Sequence, residues 1–285
     1  MTRRFAPLLL ALLTFLLASS PASAQGEANW DEQFRSQMTE WIKTIATRDP
    51  QFRQWQDATT EVQTLGANQH QWLVSVLHSG KQVGYLVIGE TPDPKKQTRF
   101  VLLEYGVGEF ILFDDAFAPR EIAAEPVYDG FSSHWLVAGE HSGRMVNAKT
   151  GEAYPTAFQA NAAVMNRVPA ETLISLDERL TQTRILEDSA QNPFDHIGWI
   201  HQLNVNTRIT WNQLWQQPAG DIRVTLTVPL HHEQVLAPFV VGTLHLWNDS
   251  HPYVGVWDEG LRFVPFSYVE QVGKFHVNKT SSPSE

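Results

Sequence analysis

The side chains best suited to chemistry gather toward the carboxyl end, where His231, His232, His245, Asp249 and His251 fall within about twenty residues. Imidazoles with a carboxylate can hold zinc, and three such ligands with one open position activate a water. His231, His232 and His245 are therefore the candidate metal ligands. Their spacing matches no helical ligand pattern, since HExxH is absent and His231-His232-Glu233-Gln234 reads as a solvated turn. Zinc needs convergent side chains, and this spacing does not dictate convergence, so no metal is expected. His251 and Asp258 flank an expected strand and are the candidate catalytic pair. No GxSxG elbow occurs, no SxxK precedes a suitable helix, and no glycine-rich phosphate loop occurs, so no cofactor is expected. Ser133 and His134 are adjacent on a strand and face opposite ways. Glu104 with Glu109, or Asp114 with Asp115, would serve a glycosidase only if they faced each other across a cleft; at strand ends they read as solvent-facing. Ten tryptophans are present, and Trp211, Trp215 and Trp257 are the candidate stacking surface for a sugar ring.

The elements that position these groups follow from hydropathy patterning. Residues 70–113 read as a β-meander: apolar runs of strand length near 70–77, 82–88, 99–104 and 109–113, separated by Gly, Pro and Asp turn residues. Trp30, Phe34, Met38, Trp41, Ile42 and Ile45 recur at helical steps, so a helix is expected over 29–47 with Asn29 as N-cap. Pro50 opens a second short helix carrying Phe52 and Trp55. A hairpin is expected from 132–137 and 144–147, continuing to 152–154. A linker over 158–169 leads to a second long helix from Pro169, with Leu173, Leu176 and Leu180 inward. A short helix at 207–216 precedes strands at 222–229, 239–247, 253–257 and 261–264, with a turn at Asp258-Glu259-Gly260. A last short helix is expected over 265–272. The fold class is α+β: N-terminal helices on an antiparallel meander, then a second mixed unit. The expected divisions are 25–160 and 165–277, with a disordered tail over 278–285.

The amino terminus bears on compartment. Arg3 and Arg4 precede an apolar run from Phe5 to Ala18, and Ala22-Ser23-Ala24 offers small residues for signal-peptidase cleavage after Ala24. The chain is then expected to be secreted or envelope-associated, with no membrane attachment after cleavage. Removing Arg3 and Arg4 leaves 19 basic against 31 acidic residues, a net charge of −12. Such a chain repels phosphate backbones, which argues against nucleic acid. The absence of cysteine excludes disulfides, thiol nucleophiles and lipoprotein anchoring.

Two segments resemble known families. SHWLVAGEHSGRMVNAKTGEAYP, with Val146-Asn147-Ala148-Lys149-Thr150-Gly151-Glu152, is similar to the closing hairpin of PepSY-type propeptide modules. That resemblance implies a small helix-plus-sheet unit that inhibits or chaperones an exported peptidase; physically, the phrase is a β-turn between strands. VVGTLHLWNDSHPYVGVWDEGLRFVPFSYVEQVGKF resembles the final strands of papain-like peptidases of the bacteriocin-processing type, with His251 and Asp258 in the outline. The missing cysteine makes such a relative inactive as a peptidase. The chain as a whole resembles uncharacterised exported proteins of Gram-positive spore-forming bacteria. The expected function is non-catalytic binding of an exported protein or a cell-envelope polymer; the competing expectation is a secreted hydrolase using the C-terminal histidines.

Overall fold

The computed structural model describes residues 22–66, 70–92, 98–120, 124–138, 143–160, 162–195, 197–202, 208–220 and 222–279. The expected leader through residue 21, and the parts of the expected loop, hairpin turn and tail at 93–97, 139–142 and 280–285, lie outside the described residues. Helix α1 (Ala22–Arg48) and a 3₁₀ turn (Pro50–Trp55) lead into β1 (Thr59–Leu65), β2 (Gln71–His78), β3 (Lys81–Pro92) and β4 (Thr98–Val107). Strands β5 (Ala124–Val127), β6 (His134–Val137) and β7 (Arg144–Asn147) follow. The chain continues through β8 (Leu180–Ile185), α2 (Trp211–Trp215), β9 (Ile222–Leu230), β10 (Val235–Trp247), β11 (His251–Trp257), β12 (Leu261–Pro265), α3 (Phe266–Val272) and β13 (Lys274–Lys279).

Antiparallel pairing dominates, and helices are few. One sheet runs β1-β2-β3-β4-β12-β11-β10-β9-β13, and β5-β6-β7 form a smaller one. The large sheet is closed in its middle by β4 and β12, where Leu261 faces Val107 and Phe263 faces Tyr105. Strand β10 is long enough to take two partners along one edge: β9 beside Val235–Val240 and β8 beside Thr243–Trp247.

Strand side chains alternate between faces, so each strand feeds two cores. Leu86 and Ile88 of β3 join one core with Phe34, Met38, Trp41, Ile42 and Ile45 of α1, and Phe52 and Trp55 of the 3₁₀ turn. Tyr85 and Val87 join the other, which contains Trp135 and Val146 of the small sheet and Phe266 and Tyr268 of α3. Trp41 and Ile45 are fully buried. Burial of each such side chain contributes about 1.5–3 kcal/mol. Gly84 is required by close approach: a Cβ there would lie 2.5 Å from both the Gly106 carbonyl oxygen and the Trp55 ring.

Several expectations are corrected. Asn29 lies within α1, which begins at Ala22, so it is not an N-cap; its Oδ1 accepts from Gln33 Nε2 at 3.1 Å. The helix expected from Pro169 is a three-residue 3₁₀ turn (Ala170–Thr172) followed by β8. Asp177 takes a left-handed backbone (φ 63) and Leu176 points outward, so the leucine spacing was coincidental. Residues 109–113 form no strand, and Phe113 is left-handed (φ 57). Of the tail expected over 278–285, Asn278 and Lys279 belong to β13 and pair with Arg223 and Ile222 of β9.

Candidate functional site

The predicted residues do not assemble into one site. His251 and Asp258 stand at opposite ends of β11, about 20 Å apart at the rise of an extended strand. His251 Nε2 meets the Glu171 carbonyl at 3.0 Å, whereas Asp258 accepts from Arg262 NH1 at 2.8 Å. His231 and His232 occupy the β9–β10 turn, where His231, His232 and Glu233 are all left-handed. His231 is buried rather than solvated, with its ring 4.2 Å from that of Tyr154. His245 is on β10, inside the helix-side core. Among the described residues, no group of three or more His, Asp or Glu side chains gathers as a metal ion requires. Trp211 and Trp215 meet at a tilt (5.4 Å) against the core shared with the small sheet, while Trp257 packs against the helix-side core. The three therefore do not line one groove. Glu104 is buried and Glu109 exposed, so that pair does not face across a cleft either.

The structure instead gathers titratable groups into two interior networks. On the helix side, alternation along β10 brings Thr243, His245 and Trp247 onto one face. His245 Nε2 lies 3.0 Å from Asp49 Oδ2, and its Nδ1 lies 2.7 Å from the Tyr105 hydroxyl. Trp247 Nε1 donates to the same hydroxyl at 3.1 Å, and Gln51 N donates to Asp49 Oδ1 at 2.9 Å. One proton arrangement satisfies every partner: indole N–H to tyrosine oxygen, tyrosine O–H to Nδ1, and Nε2–H to the carboxylate. Burial lowers the His245 pKa, against the pull of Asp49, so the ring is held neutral. Phe263 stacks on it at 4.1 Å. Asp49, Tyr105, His245 and Trp247 are all fully buried, so this Asp–His–Tyr series has no route to a substrate.

On the other face, Arg262 forms a two-pronged pair with Glu104, Nε to Oε1 at 2.7 Å and NH2 to Oε2 at 3.2 Å. Its NH1 donates to Asp258 Oδ2 at 2.8 Å and its NH2 to the Gly130 carbonyl at 2.7 Å, with Phe131 beneath the guanidinium at 5.0 Å. Tyr85 and Tyr128 donate to Glu104, and Lys149 Nζ donates to the Asp258 carbonyl. Two positive and two negative groups balance there. Burial alone would raise the Asp258 pKa, but Lys149 and Arg262 outweigh it and hold the carboxyl below its usual range. Burial lowers the Lys149 pKa, with Asp258 opposing. Burial likewise opposes the Arg262 charge, yet Glu104 and its neighbours raise that pKa overall.

Beside the Asp258–Gly260 turn the surface opens. A cleft of about 460 Å³ is lined by Gln54, Gln82, Val83, Val107, Gly108, Glu109, Phe110, Glu259 and Gly260. It sits where β4 and β12 meet, beside the Asp258–Gly260 turn whose Asp258 N–H reaches the Gly260 carbonyl at 2.8 Å. Sequence reasoning named Glu109 and this turn without linking them, because the residues that meet are separated by about 150 positions. Comparison with protein-family models and with curated protein sequences finds no match to this chain.

Proposed function

We propose that this protein is a non-catalytic binding protein that acts outside the cytoplasmic membrane, on an exported protein or a cell-envelope polymer. One observation carries the reading: two sets of potentially reactive groups (Asp49–His245–Tyr105 and Glu104–Arg262–Asp258) are engaged among themselves, while the cleft lining offers no imidazole or hydroxyl beside its two carboxylates. Export rests on the leader and the acidic chain. Among the described residues, no helix is long and apolar enough to cross a membrane. In this reading the helix-covered meander of residues 25–160 and the second mixed unit of 165–277 together carry the binding surface.

The test is a turnover panel of peptide, ester and glycan substrates run beside co-sedimentation with isolated cell-envelope material, using purified protein. Saturable retention without turnover is the expected result. Turnover abolished by one substitution overturns the reading.

A further inference from the structure

Resting on that binding reading, we infer that the cleft at the β4–β12 junction is a saccharide site for a neutral or amino-substituted glycan. The lining has the chemistry of a sugar cradle. Phe110 is 40% exposed and lines the cleft, where an aromatic ring can pack on the C–H side of a pyranose. Two glycines also line it, Gly108 (φ 132) and Gly260 (φ 115), and they pack so closely on each other that a Cβ on Gly260 would lie 2.6 Å from the Val107 carbonyl oxygen.

The rim supplies donors and acceptors for hydroxyls. Among the described residues, no hydrogen bond, ion pair or ring contact engages the side chains of Gln54, Glu109 or Phe110. Gln82 uses its amide N–H groups on the Val76 and Gly84 carbonyls, which leaves its oxygen as an acceptor. Two carboxylates and no cationic side chain line the cleft, so uronate or phosphate polymers are repelled and hydroxyl or ammonium groups are favoured.

The rim is also held in place before any ligand arrives. Glu259 is left-handed (φ 47), a costly conformation for this residue. The turn that carries it is fastened from below, because Arg262 binds the Asp258 carboxylate and Lys149 binds the Asp258 carbonyl. Groups fixed in advance lose less freedom on binding, which favours a weakly interacting ligand such as a sugar. Arg262 and Lys149 are positioning residues here.

The experiment is calorimetric titration of the full chain with cellohexaose, a glucosamine hexamer and polygalacturonate, repeated with Phe110→Ala, Glu109→Gln and Glu259→Gln. All three positions are exposed, so the variants keep the fold, and circular dichroism checks it. Expected are binding of one or both uncharged or amino oligomers, none of the polyanion, and a loss of about tenfold or more in Phe110→Ala. Preference of Glu109→Gln and Glu259→Gln for cellohexaose over the glucosamine hexamer, reversed in the parent, would assign the ammonium to the carboxylates. Binding unchanged by Phe110→Ala overturns the cleft assignment and leaves the binding function standing. No binding to either oligomer overturns the saccharide inference. If an exported protein or peptide is instead bound saturably at this cleft, the saccharide inference falls and the broader reading survives; hydrolysis of the oligomers removes that reading itself.

Discussion

The two faces of the large sheet bury polar groups by different means. On the helix side the groups form a relay of hydrogen bonds around a neutral imidazole, with aromatic rings packed about it. On the opposite face they form a balanced set of charges around Arg262. The relay joins Asp49, the residue after α1, to β10, and each of its members is fully buried. The charged set joins β4, β12, the small-sheet side of the molecule and the turn that borders the cleft. Buried ion pairs are poor sources of stability but hold geometry against alternatives. The fold uses them beneath the turn that holds the left-handed Glu259 in place.

That contrast can be broken most forcefully at Arg262. Arg262→Ala strands the buried Glu104 carboxylate, and chemical denaturation is expected to show a loss of about 3–5 kcal/mol. Glu104→Leu with Arg262→Leu leaves neither charge unmatched, since Asp258 keeps Lys149, and should lose clearly less than the two single changes added together. Tyr105→Phe comes next. It orphans the Trp247 N–H and His245 Nδ1, with an expected loss of about 1–3 kcal/mol and no change in oligosaccharide binding.

Acid separates the networks more finely. The folded pKa of His245 is lowered from 6.5, so the unfolded chain takes up its proton first. The stabilisation is complete above pH 6.5 and declines as pH falls from there toward the lowered folded value. Asp258 has a depressed folded pKa, so its contribution persists above 3.8 and is lost only as pH drops through the folded value. His134, His231 and His276 are also lowered and share the loss in mild acid. His245→Gln should therefore flatten stability against pH between 7 and 5 by up to one proton, about 1.4 kcal/mol per pH unit. The smallest stability effect belongs to Phe110→Ala, within about 0.5 kcal/mol of the parent by the same denaturation measurement.

Much of the sheet was legible from residue patterns. Strands β2, β3, β4, β9 and β11 carry β-branched and aromatic runs between turn residues, and α1 carries an unbroken apolar stripe. Strand β1 was missed because TTEVQTL is exposed at most of its positions and has no apolar face to read. Residues 173–180 misled because leucines at helical intervals also fit a turn followed by a strand, and only pairing of Leu180–Ile185 with β10 decides between them. The interior networks were not legible for a different reason. His245 drew notice through nearby histidines, yet its partners Asp49 and Tyr105 lie 196 and 140 positions away. Arg262 drew none, since nothing local distinguishes an arginine on a strand from a solvated one.

The pairing of β4 with β12 also sets an order of events during synthesis. Residues up to Val107 emerge early, yet the strand that covers their open edge begins at Leu261. Until then, the backbone donors and acceptors along that stretch of β4 have no permanent partner within the chain. A ribosome halted between those points would display a hydrogen-bonding edge able to recruit a second nascent copy.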